Sequence, residues 1–568
     1  MTAAGGAGDA PFRHAWLAIC AAALAAMLPE LIAGLSVTDS LPYNLAWTEQ
    51  FVAAVRAGDL YPRWLPSAWD GLGSPTFYFY PPLFFWTAAL ADAATLGRLP
   101  AGTVATLASL VLLAGSGLAM AAWLRGMAGR RAALVGAVAY MLAPYHLYDL
   151  YGRGALAEAA AYAWLPLVML AIRRLGEGRW RAVLLLGASY GALLLSHLPV
   201  ALLASVLAIP PYVAFTAWRA RSAKMPAAAL AGGVLGLGLA AAYWLPAIGL
   251  ARFISTDALF GSFHSPANWF FWRPEAWPRG GPMLLVVPLS AAALLLAGAA
   301  ALAARRSSQR REALFWSALT AATLAMVAGA VPPLWRLPLL TQVQFPWRML
   351  VVTEFAAVTA LALARPRLRS PLAFAGALAL AAAAALVVSA IAFQTSAAMA
   401  DARARAAAAN PQYRDAPEYL PAGSAIPKGA DGVPETSLVA LPAAPLAAAT
   451  IGRVWAKAGE GGALEVAIDT PAPARITVRR FHFPHWRVVR GDETVATAPA
   501  PGTQLLSWRA PAGRSSYRVA AGAAPGERLA TALSLAALAI LLLGALALAL
   551  ARAKDQRHFH DSRLRPGA

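Results

Sequence analysis

The chain has 568 residues, of which 59% are hydrophobic and only 13% charged, a composition that excludes a large soluble enzyme and belongs to an integral membrane protein. The formal net charge of +20 would suggest nucleic acid in a soluble protein. Here 22 of the 47 Lys and Arg residues sit in six short clusters between apolar runs, so topology and anionic lipid headgroups account for the excess and nucleic acid is not an expected partner.

The first apolar run, 15–35, has no small-residue cleavage site behind it and reads as a retained span rather than a signal peptide. Its cysteine, Cys20, is the only one in the chain, which leaves no intramolecular disulfide or thiolate metal site. Glu30, after Pro29, falls in the outer part of this span. Further runs able to cross about 30 Å of hydrocarbon lie near 101–123, 132–148, 156–172, 182–198, 200–217, 226–249, 282–304, 313–331, 348–364, 371–393 and 529–551. With the N-terminus inside, every even-numbered span of these twelve ends at a basic cluster: 125–131, 173–181, 219–224, 305–311, 365–369 and 552–565. That parity predicts both termini on the cytoplasmic side. The short run 82–96 carries Asp92, and counting it as a span would reverse every later cluster. It is expected to be a re-entrant or interfacial helix on the outer side.

The first outer loop, 36–101, opens with Asp39. A carboxylate there can take a proton from an alcohol or hold a divalent metal, or it can simply cap the next helix. Leu45, Thr48, Glu49, Val52 and Val55 follow at helical spacing, with Gly58 as a stop, so a surface-lying amphipathic helix is expected. Arg63, Trp64 and the aromatic run 77–80 come next. These aromatics suit an interfacial belt.

The stretch APYHLYDLYGRGALAE, 143–158, reaches the outer face at the end of a span. Asp149 and Arg153 are four apart and can pair. Gly152 and Gly154 should break the helix around the arginine. Arg153 then either offers its fork to a phosphate or is a structural partner of Asp149 or Glu158. His197 lies at a hairpin tip, where packing and function are both open. Arg348, in QFPWR at 344–348, enters a span in which Glu354 is a functional candidate because it is ionisable.

Residues 394–528 form an outer region tethered by spans on both sides. Alternating stretches ALEVAID, ARITVRRF, WRVVRG, ETVATA, QLLSWRA and SYRVAAG predict a small antiparallel β-sandwich over about 462–520. The last span, 529–551, and a basic cytoplasmic tail, 552–568, complete the chain. No phosphate-binding glycine loop, dinucleotide fingerprint, HExxH zinc site or nucleophile elbow occurs.

Asp39, GDLYPRW at 58–64, GLGSPTFYFYPPL at 71–83, PYHLYDLYGRGALAE at 144–158, SHLP at 196–199, QFPWR at 344–348, PEYLP at 417–421 and FHFPHWRV at 481–488 together resemble a family. It comprises bacterial membrane proteins labelled as 6-pyruvoyl-tetrahydropterin synthase-related, whose architecture is similar to the GT-C glycosyltransferases and their large YfhO-like relatives. The resemblance implies a polytopic helical fold of about 12 spans, with residues 1–393 as the membrane domain and the β-sandwich outside, in the bacterial inner membrane. It implies sugar transfer from a polyprenyl-phosphate donor to an extracytoplasmic glycan, lipid or protein. Asp39 would be the catalytic base and Arg63, Arg153 and Arg348 the groups that bind the donor phosphate. Glu30, Asn44, Tyr80, His146, Asp149, Glu158, His197 and Glu354 would line the cavity. Family members often carry a His shortly after this Asp. Asn44 stands there instead, which weakens a metal or His-assisted role; no cofactor is required, and a divalent metal stays open. The pterin synthase's zinc site has no counterpart. A non-enzymatic lipid carrier or an envelope assembly scaffold is the alternative.

Overall fold

The computed structural model describes residues 15–35, 40–256, 264–270, 309–364, 415–424, 446–459 and 463–563. Asp39, the predicted spans 282–304 and 371–393, the basic cluster 365–369, most of the cluster 305–311 and the segment 394–414 lie outside the described residues.

Apolar helices dominate. Five of those described are long and apolar enough to cross a membrane: Ala101–Arg125, Leu156–Gly176, Leu198–Ala220, Pro346–Leu363 and Glu527–Ala551. The run predicted at 226–249 forms two helices, Lys224–Leu239 and Ala241–Phe253, bent by 69°. Ser534 of the last helix offsets that break. Its hydroxyl accepts from Ala242 N–H at 2.8 Å and lies 3.0 Å from the carbonyls of Gly238 and Leu239. A broken span needs such a partner, because lipid satisfies no backbone group. The chain is thus a multi-pass membrane protein. The helix Leu83–Ala94 has 12 residues, about 18 Å at 1.5 Å per residue, too short to cross. Its Asp92 is buried and paired with Arg56.

The first loop packs one face of its helix against the rest of the fold. Its helix, Leu41–Arg56, ends just before Gly58 as expected, but the buried face is Leu41, Asn44, Trp47, Thr48, Phe51 and Val52. Glu49 is exposed, and Leu45 and Val55 are only half-buried. Aromatic rings decide this. Phe51 packs on Phe77 at 4.7 Å between centroids, Trp47 on Tyr80 at 4.6 Å, and Phe77 on Phe85 at 4.7 Å. The aromatic run therefore builds a core and is not merely an interfacial belt.

The C-terminal region is a two-sheet antiparallel structure. Its strands are β1 (Ala447–Ala449), β2 (Arg453–Ala458), β3 (Leu464–Thr470), β4 (Ala474–Phe481), β5 (Trp486–Arg490), β6 (Glu493–Val495), β7 (Thr497–Pro499), β8 (Leu505–Ala510) and β9 (Gly513–Ala521). One sheet has the order β1-β4-β8-β7, the other β2-β3-β9-β5-β6. Along β3, Leu464, Val466, Ile468 and Thr470 are buried while Glu465 and Ala467 are exposed, the alternation read from sequence. Trp508 of one sheet meets Tyr517 of the other at 5.3 Å. ETVATA is not one strand. Val495 pairs with Val488 and Thr497 with Trp508, so the chain changes sheets at Ala496. β1 and β2 were not foreseen, since their Ala-rich stretch lacks large alternating residues.

Candidate functional site

The site grows from a break in the stretch 144–158. Helix Pro144–Tyr148 widens into a π-turn, Asp149–Arg153, and ends at Gly154 with φ +62°. A Cβ on Gly154 would lie 2.6 Å from Leu41 Cβ, so only glycine admits the first-loop helix here. That close approach is sealed by two bonds. Ser40 N–H donates to the Arg153 carbonyl at 2.8 Å, and Asn44 Nδ2 donates to the Gly154 carbonyl at 2.9 Å.

The π-turn carries Arg153 into a buried charge cluster. Its Nη1 donates to Tyr145 Oη at 2.8 Å, to Asp149 Oδ1 at 2.7 Å and to Glu158 Oε2 at 2.7 Å. Arg348 Nε lies 3.4 Å from the same Glu158 oxygen and His197 Nε2 3.8 Å from it. Arg348 Nη1 donates to the Val343 carbonyl and Gln344 Oε1. Among the described residues, no acceptor bonds Nη2 of either arginine. Glu158 also accepts from Tyr145 Oη at 2.6 Å. Burial pushes the Asp149 carboxyl well above its usual range, the Glu158 charge adds to this, and Arg153 opposes it. Asp149 Oδ2 has no partner among the described residues.

Below this layer, Glu354 accepts from Tyr145 N–H and Tyr162 Oη, both at 2.7 Å. His146 stacks on Tyr162 at 3.7 Å with 6° between rings. Beside it, Tyr80 Oη reaches Asn44 Oδ1 at 3.4 Å. Arg153, Arg348, Glu158, His197, Asp149, Glu354, His146, Asn44 and Tyr80 thus belong to one connected neighbourhood.

Two other candidates stand elsewhere. Glu30 is buried inside the first helix. Arg63 lies between Tyr61, at 4.1 Å, and Tyr78, at 5.3 Å. Its Nε meets Glu527 Oε1 at 2.9 Å and its Nη2 donates to the Ala242 carbonyl at 2.8 Å. Tyr78 Oη and Ala524 N–H donate to the other Glu527 oxygen. Arg63 therefore staples the first loop to the start of the last span. Among the described residues no contact joins it to Arg153.

Tyr145 is the hub that residue type alone did not reveal, since one more Tyr in an aromatic-rich stretch carries no distinguishing signal. Asp415 was missed as well. It accepts from Trp47 Nε1 at 2.7 Å and Thr76 Oγ1 at 3.1 Å, pinning PEYLP onto the first loop. Burial raises its carboxyl above the usual range, against the pull of bonds from Ser74, Ala416 N–H, Trp47 and Thr76. A second anchor ties this segment to 253–255. Ser255 N–H donates to the Leu420 carbonyl and Ala422 N–H to that of Phe253.

No protein-family model matches the chain, and no curated protein matches it. Among solved structures it is similar to the arabinofuranosyltransferase AftD from Mycobacteria, at 18% identity and TM-score 0.42 over 68% of this chain. A mutant form of AftD gives 22% and 0.44 over 66%. ArnT from Cupriavidus metallidurans, bound to undecaprenyl phosphate, gives 14% and 0.28 over 64% of this chain and 79% of that one. This chain spans about a quarter of AftD, 27% of its length. At TM-scores below 0.5 these likenesses leave the chemistry of the site undefined.

Proposed function

We propose that this protein is a membrane glycosyltransferase that moves a sugar from a polyprenyl-phosphate donor to an extracytoplasmic acceptor. The observation that carries the reading is the meeting of Arg153 and Arg348 on Glu158, with Asn44 and Tyr80 of the first loop beside them. Two guanidinium groups buried against one carboxylate, each with a nitrogen that bonds to no acceptor among the described residues, suit a phosphate ester whose charge grows as it leaves. Each charge-assisted bond is worth about 1.5–3 kcal/mol.

In this reading Asp39 takes the proton of the acceptor hydroxyl. The hydroxyl oxygen bonds to the anomeric carbon, the bond from that carbon to the phosphate oxygen breaks, and polyprenyl phosphate leaves against Arg153 and Arg348. A base of this kind contributes roughly 10²–10⁴-fold. Ser40, next in sequence to Asp39, is bonded to the Arg153 backbone, which supports assigning both residues to one centre. Arg63 serves the scaffold in this reading rather than the phosphate.

Glycolipid and glycoprotein profiling of a deletion strain tests it. One glycosylated product should be lost, restored by the intact protein, and not restored by Asp39→Asn or Arg348→Ala. The carrier or scaffold reading draws on the local pairs Arg153–Asp149 and Arg153–Glu158, and restoration by Asp39→Asn would decide for it.

A further inference from the structure

The outer face of the five-stranded sheet carries a tryptophan that the fold does not use. β2 is one of the sheet's two edge strands. Its Val454 and Ala456 turn inward, while Trp455 faces out and is 54% exposed. The strand register defines what lies beside it. Trp455 pairs with Ala467 of β3, and Ala467 with Ser516 of β9. Both neighbours are small and exposed, so the middle row is a shallow trough floored by a methyl and a hydroxyl and ended by an indole.

Charged rows flank the trough. On one side Arg453 pairs with Asp469 and Asp469 with Arg514. The Arg514 and Asp469 side chains meet at 3.0 Å. On the other side Lys457 pairs with Glu465 and Glu465 with Arg518. Alternate residues on a strand are about 6.6 Å apart, so the two rows stand about 13 Å from each other. A sugar ring and its substituents fit that width.

A charged edge is a common guard against strand pairing, and Arg453 and Lys457 answer to that description. The guard does not call for a large exposed ring between them. An indole face that stays wet in a folded domain marks a contact surface. The chemistry of the rows narrows the partner. Carboxylates accept from hydroxyls while guanidinium and ammonium groups donate to them, so mixed rows suit a polyhydroxylated ligand. Glu465 and Asp469 stand against an anionic bilayer as the partner. Four cations against two carboxylates still leave an excess of positive charge, which complements acid groups on the ligand.

We infer that this face is a saccharide-binding surface, taking an acidic glycan with one ring stacked on Trp455 and its carboxylate or phosphate groups on the Arg and Lys side chains. The inference sharpens the acceptor half of the reading above, and its test does not depend on sugar transfer.

The full chain in phosphatidylcholine nanodiscs would be titrated by calorimetry with a uronic acid hexasaccharide and with a neutral hexasaccharide. The acidic ligand should bind more tightly. Trp455→Ala should weaken it about tenfold or more, and Trp455→Phe less. Arg514→Ala combined with Arg518→Ala should erase the preference for the acidic ligand. Unaltered thermal unfolding of the Trp455 variants shows that the domain still folds. Three outcomes overturn the proposal: no binding of either sugar, binding indifferent to Trp455, or Trp455-dependent capture of phosphatidylglycerol vesicles in place of sugar. Trp455-dependent dimerisation without sugar binding overturns it too.

Discussion

Arg153 and Arg63 are both buried, both paired with glutamate and both in stretches that meet the membrane domain, yet they are built for different work. Arg63 spends its fork on Glu527 and the Ala242 carbonyl, groups 464 and 179 residues away in sequence, so three distant segments are held at one point. Arg153 concentrates three bonds on one nitrogen and shares Glu158 with Arg348 and His197. The first arrangement joins distant parts, although its buried Nη1 has no partner among the described residues. The second gathers two arginines on one carboxylate, with a histidine beside them, which is more than a structural pair requires. An arginine's role therefore depends on which groups share its acceptor, and neither burial nor an unpartnered nitrogen reveals it.

The largest expected effect breaks the cluster on Glu158. Glu158→Ala leaves Arg153 and Arg348 buried without their shared carboxylate, and losing one partner of a buried pair costs about 3–5 kcal/mol. Thermal unfolding in detergent should show it, and Glu158→Gln should recover only part. The Arg63–Glu527 pair gives the next test. Arg63→Ala should cost about 1.5–3 kcal/mol, the range for hydrogen bonds to charged groups. A double-mutant cycle with Glu527→Gln should show strong coupling, while donor affinity stays near that of the parent. If Arg63→Ala instead abolishes donor binding at unchanged stability, the contrast drawn between the two arginines fails.

A third test bears on the joint between the first loop and the β-domain. His485 packs against Trp64, at 4.4 Å, and Trp486, at 4.3 Å, and among the described residues neither ring nitrogen has a hydrogen-bonding partner. Burial lowers its pKa to about 3, with Arg487 and His482 adding to the shift. The unfolded chain takes up this proton below its ordinary value of about 6.5 and the folded chain does not, so stability falls as pH drops through that window. The loss should reach about 2 kcal/mol near pH 5. His485→Phe should lower the slope in a pH series of unfolding curves by about this amount, while His482, half-buried and also lowered by burial, and the buried histidines His146 and His197 keep the rest.

The smallest effect belongs to Asp149. Its carboxyl is pushed toward the neutral form by burial, so Asp149→Asn removes little charge while keeping an acceptor for Arg153. A change within about 1 kcal/mol is expected, as for a neutral hydrogen bond. A loss as large as that of Glu158→Ala would show that Asp149 is charged and shares the cluster's burden.

Much of this plan was legible before any coordinates. Long apolar runs marked the helices, and alternation marked β3, β4, β5, β8 and β9, because burial on one face leaves a period in the residues themselves. The glycines around Arg153 announced a break, and Arg153, Glu158, His197 and Arg348 were candidates by charge near apolar spans. Periodicity found the helix Leu41–Arg56 but only part of its buried face: Thr48 and Val52 are buried, and the aromatic cluster of Phe77, Tyr80 and Phe85 adds Trp47 and Phe51. It was silent on the bend near Ala240, whose freed carbonyls are met by a serine almost three hundred residues on.

Local order thus came from the sequence: which segments are helices or strands, which must avoid water, and where a turn needs glycine. Propensity and burial period act over a few residues and are written there. Partnership came from the tertiary structure. Nothing near Arg63 in the chain tells that Glu527 will take it, and nothing near Arg153 tells that Arg348 will share its carboxylate. A buried charge is tolerated only where a counter-charge and hydrogen-bond acceptors arrive together, and their arrival depends on how distant helices pack, not on the residues alongside.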